Sequence, residues 1–165
     1  MARRAFYTFH YQPDNWRASQ VRNMGVIDGD APVSDNDWET ITRGGDNAIQ
    51  KWIDNQLQGK SCTIVLIGAN TAGRKWIKYE IEKSWNDGKG LLGIFIHNLK
   101  NREQMQSGKG RNPFEDFTMK RDQAALSSIV KAYDPPYMAS TDVYNYIKSN
   151  LGSWIETAIS IRANY

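Results

Sequence analysis

With 165 residues, 40% hydrophobic and 24% charged, the chain has ordinary globular composition, which excludes wholesale disorder and predicts one domain spanning 1–165. The net charge of +3 is too mild to indicate a nucleic-acid partner. A single Cys62 and two histidines exclude an intrachain disulfide and leave no metal site to expect.

No apolar run approaches the ~20 residues of a membrane span. The start, Arg3-Arg4 followed by Ala5-Phe6-Tyr7-Thr8-Phe9, is too short and too β-like for a signal peptide. The expectation is a soluble, cytoplasmic protein without membrane contact.

In chain order, Ala5 to His10 reads as a first strand. Asp14 or Asn15 can cap a helix running to about Asn23. Gly25 to Asp37 reads as a loop, with a short strand around Val26-Ile27 as an option. Gly44-Gly45-Asp46 opens a helix carrying Ile49, Trp52, Ile53 and Leu57 at helical spacing, and Gly59 stops it. Ser61 to Gly68 is a continuous apolar strand of the kind covered on both faces. A polar turn, Ala69 to Gly73, leads into a helix from about Arg74 to Asp87.

Leu91 to Ile96 repeats the buried-strand pattern. Lys100 to Lys120 reads as a long surface excursion, and Ile129 to Tyr133 as a short edge strand. Ser140 or Thr141 caps a last helix with Val143, Ile147, Leu151, Trp154 and Ile155 on its apolar side. Strand and helix alternate, so the fold class is α/β: a flavodoxin-like, doubly wound sheet of about five mainly parallel strands flanked by helices. Ligands of such sheets bind beyond the carboxyl ends of the strands, where strand order reverses. The loops after His10, Val26, Gly68 and His97 are therefore the ones to watch.

Conventional signatures are missing: no phosphate-binding loop, no dinucleotide glycine fingerprint, no serine elbow. Cys62 lies within an apolar strand and reads as packing. The helix from Arg74 is more informative. At about 100° per residue, Ile77, Ile81 and Ser84 share one direction, with Trp76 and Trp85 on the flanks. Lys75, Lys78 and Glu82 point to solvent. Glu80 falls between Ile77 and Trp76, inside the apolar arc, where desolvation raises a carboxylate's pKa. The plainer reading is a Glu at the edge of the face, reaching water or a Lys. Its place in the first half of the helix puts Glu80 near the carboxyl end of the sheet. Trp76 lies one turn earlier on the same face.

The segment Trp76-Ile77-Lys78-Tyr79-Glu80-Ile81 resembles the Trp-x-x-x-Glu helix of TIR domains, whose Glu is catalytic in the NAD-consuming members. More narrowly, the chain resembles the TIR-like proteins of bacterial Thoeris anti-phage systems. The resemblance rests on Phe9-His10-Tyr11, Val21-Arg22-Asn23, Val65 through Ser84, and Gly110-Arg111-Asn112-Pro113-Phe114. It implies a TIR-like fold and NAD+ as substrate, with no separate cofactor. It also implies cleavage of the nicotinamide–ribose bond, and a cyclic ADP-ribose isomer that activates a separate effector protein. Glu80 is then the catalytic residue.

Phe9 and Trp76 are candidate walls for the substrate, and His10 and Tyr11 candidate contacts at the end of the first strand. Asn70 and Thr71 stand in the turn before the Glu80 helix. Turn formation is their ordinary role, and a contact with substrate phosphate or ribose is the alternative. Asp28-Gly29-Asp30 suggests an acidic metal pocket only weakly, because Gly68 stands where a matching acid would be. Asn112-Pro113-Phe114 shapes a loop over the crevice. Trp38 reads as a loop residue, either a self-association contact for a homo-oligomer or a buried anchor. Two rival functions remain at this level: a non-catalytic self-association adaptor, and a nucleoside deoxyribosyltransferase-like enzyme.

Overall fold

The computed structural model of the protein describes residues 2–29 and 35–165. Four strands, β1 (Ala5–Thr8), β2 (Cys62–Ile67), β3 (Gly90–Phe95) and β4 (Ala132–Tyr133), form one sheet in the order β1-β2-β3-β4. All pairings are parallel; Ala5 sits opposite Cys62, Cys62 opposite Gly90, and Gly93 opposite Ala132. Five helices accompany them: α1 (Tyr11–Arg22), α2 (Asp35–Arg43), α3 (Gly45–Leu57), α4 (Lys75–Asn86) and α5 (Ser140–Ala163).

About five strands were expected, and the fifth is reduced to a single bridge. Asp28 pairs in parallel with Arg4: its N–H donates to the Arg3 carbonyl at 2.9 Å, and its carbonyl accepts from the Ala5 N–H at 3.1 Å. Gly25 and Gly29, both with positive φ, bracket this segment and hold it too short for a ladder. The bridge lies on the side of β1 opposite β2, so the chain order reverses beside β1, as in a doubly wound sheet.

The alternation along β2 explains the layers. Cys62, Ile64 and Leu66 pack with α1 and α5, whereas Val65 and Ile67 pack with α4 and the segment following β3. Each fully buried Ile or Leu contributes roughly 1.5–3 kcal/mol. A third cluster seats Phe6 against Ile49, Ile53 and Leu57 of α3.

Several sequence expectations shift. The first strand stops at Thr8, and α1 begins at Tyr11 instead of after Asp14 or Asn15. The Asp14 N–H closes the first turn on the His10 carbonyl at 3.1 Å. Pro13 is tolerated there because a first-turn N–H has no helical partner. Asp14 is no cap; its carboxylate is buried against Arg17 at 3.0 Å.

Residues 35–43 form α2, where a loop was read through residue 37, and Trp38 is therefore helical. At the start of α5, Ser140 Oγ accepts from the Lys100 N–H at 3.1 Å and caps nothing. The 100–120 excursion is anchored from within. A 3-10 turn, Pro113–Asp116, is capped by Asn112 Oδ1, which accepts from the Phe114 N–H at 2.9 Å. Phe114 is fully buried. Gly93 makes room for it, since a Cβ there would lie 2.9 Å from the Phe114 ring. Asp30 of the Asp28-Gly29-Asp30 run lies outside the described residues. Among the described residues no helix is long and apolar enough to cross a membrane.

Candidate active site

The turn after β2 is built to start α4 at the carboxyl edge of the sheet. Thr71 Oγ1 accepts from the Gly68 N–H at 2.8 Å, and extended Arg74 leads into the helix. The Lys78 N–H then closes on the Arg74 carbonyl at 2.9 Å. The helix buries Ile77, Glu80, Ile81 and Ser84, and Glu82 is exposed, as the periodicity predicts. Ser84 is secured by a 2.8 Å hydroxyl contact with Thr63 of β2. This fixes the rotation of α4 about its axis and therefore the direction of Glu80.

Glu80 is 6% exposed, and its Oε2 has no hydrogen-bond partner among the described residues. Burial pushes its carboxyl up to about 8, because the low-dielectric surroundings penalise the charged form. The neighbouring Thr8 hydroxyl offsets this in part, although Thr8 Oγ1 and Glu80 Oε2 both fall outside hydrogen-bonding geometry. A carboxyl so placed is poised to ionise when a positive charge comes to it.

Glu80 opens into a cleft of about 640 Å³, a volume suited to a small-molecule ligand. Phe9, His10 and Tyr11 supply one wall, Trp76 and Ile77 another. The aromatic wall continues inward as a ladder. Phe9 stacks on Tyr11 with centroids 5.9 Å apart, Tyr11 on Trp38 at 5.4 Å, and Trp38 meets the edge of Trp52 at 5.8 Å. Trp38 is thus a half-buried rung of this wall. His10 Nδ1 is buried without a hydrogen-bond partner among the described residues. Burial, and secondarily the Arg74 guanidinium, lower the His10 pKa, so the imidazole is neutral at pH 7.

Among the described residues three cations face the same cleft: Arg74, Lys75 and Arg111. Lys75 is paired with Asp46 and sits 4.9 Å from the Trp76 ring centre. Arg111 is paired with Asp116. Arg74 makes no ion pair with another described residue. Arg111 is delivered by a close chain crossing, in which a Cβ at Gly110 would lie 2.1 Å from the Gly68 carbonyl oxygen.

The structure therefore gathers Phe9, His10, Tyr11, Asn70, Trp76 and Glu80 around one cleft. Thr71 lies outside it, fully buried and engaged with Gly68. Arg74, Arg111 and Trp38 line the cleft without having been singled out as site residues. Arg111 lies in one of the four motif segments, which was its only available signal. Chemically, the cleft offers one buried carboxylate for a developing cation, aromatic faces for a planar group and guanidinium groups for phosphate.

Fold and site define a TIR-like domain. The family model for the TIR-like domain of Thoeris protein ThsB matches residues 6–101, more than half of the chain, and the chain belongs to that family. A protein of Bacillus cereus (strain MSX-D12), provisionally named cyclic ADP-D-ribose synthase ThsB1, is 38% identical to it over 120 residues. The match covers 70% of this chain and 62% of that protein, so the chain spans less than two thirds of that relative's length. Glu80, Trp76 and the Phe9–Tyr11 wall fall inside the family match; Gly110 to Phe114 fall beyond it.

Proposed function

We propose that the protein cleaves the bond between nicotinamide and ribose in NAD+ and closes the ADP-ribosyl product into a ring. The observation that carries this reading is Glu80: a buried carboxylate, its Oε2 without a hydrogen-bond partner among the described residues, facing a cleft with aromatic walls and guanidinium groups. The name of the Bacillus cereus relative supports the same chemistry.

NAD+ brings its own positive charge on the pyridinium ring. Its arrival beside Glu80 favours the ionised carboxylate, and the proton leaves to solvent. The C–N bond then breaks, and its electron pair departs with nicotinamide as a neutral base, so no general acid is required. Positive charge grows at the ribose carbon, as in glycoside hydrolysis, and Glu80 stabilises it in a water-poor site.

A hydroxyl of the same molecule, held close by the cleft, attacks the carbon, and its proton passes to the Glu80 carboxylate, which restores the resting carboxyl. Phe9 and Trp76 enclose the nicotinamide end; His10, Tyr11 and Asn70 offer contacts to the ribose. NAD+ is substrate here, and the chain needs no resident cofactor or metal. The product is a diffusible nucleotide that acts on a separate effector protein in the cytoplasm, in anti-phage signalling. Association between copies of this chain is compatible with that role.

Incubation of the pure protein with NAD+, followed by mass spectrometry, tests the proposal. The expected products are nicotinamide and a nucleotide lighter than ADP-ribose by one water. Turnover of deoxynucleosides with NAD+ left intact would instead identify a deoxyribosyltransferase.

A further inference from the structure

A second cleft, about 650 Å³, adjoins the Glu80 cleft and shares Tyr11, Gln12, Trp38, Ala69 and Asn70 with it. The two form one trough along the carboxyl edge of the sheet. We infer that this second cleft holds the adenosine half of the dinucleotide while Glu80 acts on the nicotinamide half; the inference rests on the NAD+ reading above.

Three observations point there. The first is exposed apolar surface. Trp16 is 48% exposed and Met105 62%, and both line this cleft. Large apolar groups left in water around a polar hollow mark a ligand site, and a flat ring and a thioether in one lining suit a base.

The second is charge. Of the cations on the Glu80 cleft, Lys75 and Arg111 are paired with Asp46 and Asp116, which lie outside its lining, and Arg74 has no ion pair with another described residue, whereas the second cleft is lined by acids as well as cations, with Arg17 paired to Asp14 and Arg102 sharing the lining with Glu39 and Glu103. Phosphates therefore belong on the Glu80 side, and a neutral base and its sugar on this one.

The third is rigidity. The 99–105 loop forming the outer wall is tied down by Arg17, whose buried guanidinium donates to the Leu99 carbonyl at 2.7 Å and the Met105 carbonyl at 2.9 Å. Asn101 Oδ1 accepts from the N–H groups of Glu103 and Met105, both at 3.0 Å. Gln104 holds a left-handed backbone at φ 64°. A wall fixed before the ligand arrives spares the ordering cost of binding.

Calorimetry with AMP, adenosine and nicotinamide mononucleotide, on the full chain and its Trp16→Ala/Met105→Ala variant, tests this. Adenosine, which brings no second phosphate to the Glu80 side, should bind together with nicotinamide mononucleotide, each leaving the other's affinity within about twofold. The variant should weaken AMP about tenfold, the scale of one lost base–aromatic contact, and leave nicotinamide mononucleotide unaffected. Both side chains are exposed, so the fold should persist, with an unchanged melting profile as the check. Competition between adenosine and nicotinamide mononucleotide, no AMP binding, or AMP affinity insensitive to the variant would each overturn the inference. If AMP binding depends on Trp16 and Met105 while NAD+ is neither bound nor cleaved, the second cleft stands as an adenine-nucleotide site. The Glu80 reading is then what fails.

Discussion

Glu80 and Glu82 are the same residue type two positions apart on one helix, yet one is buried and the other sits in water. The difference has a thermodynamic consequence. Glu80's carboxyl stands at about 8 in the folded chain against 4.5 when unperturbed. Between those values the native state holds a proton that the unfolded state has lost. Stability must therefore fall as pH rises through that window, with a slope approaching about 1.4 kcal/mol per unit. Glu80→Gln removes this dependence. In thermal melts the variant should gain on the wild type from pH 5 to pH 8; parallel profiles would show that Glu80 is solvated. The helical period of about 100° placed Glu80 inside the apolar arc but left open a Glu at the edge reaching water, and its role came from the resemblance of Trp76 to Ile81 to the TIR helix. Arg74, Arg111 and Trp38 were not legible as site residues, because the chain crossing at Gly68–Gly110 and the stacking of α2 on Tyr11 are tertiary events with no local period.

At the scale of elements, the two apolar strands and the Glu80 helix were legible to within a residue or two, since packing and local pattern agree there. The misreadings fall where side chains serve tertiary partners. Asp14 and Ser140 look like helix caps in the sequence; one pairs with Arg17 inside the protein, and the other holds the 100–106 loop. The isolated β-bridge at Asp28 has too few residues to show a strand pattern. Arg17 ties α1 to the outer wall of the second cleft. Arg17→Met should strand the Asp14 carboxylate and cost about 3–5 kcal/mol, the scale for breaking a buried pair. Urea denaturation measures it. A loss below about 1 kcal/mol would mean that Asp14 is satisfied without its partner.

For the whole molecule, the sheet explains why one edge carries all the chemistry. The chain order reverses beside β1, so the connections that follow β1 and β2 run to opposite faces of the sheet and leave the trough between α1 and α4. The aromatic richness visible in the composition has a place there: Phe9, Tyr11, Trp38 and Trp76 are walls of that trough as much as core. The scarcity of histidine and cysteine fits a mechanism that asks for one carboxylate and a substrate carrying its own positive charge. The sequence could point to this edge through strand order, but the second cleft required the folded 99–107 loop.

The most direct test follows nicotinamide release from NAD+ as a function of pH, in the wild type and in Glu80→Gln. At NAD+ well below saturation, release should climb as pH approaches 8, as the buried carboxyl of the free protein ionises, and the variant should be at least about 10³-fold slower while still melting cooperatively. A folded Glu80→Gln protein releasing nicotinamide at the wild-type rate would contradict this role for Glu80.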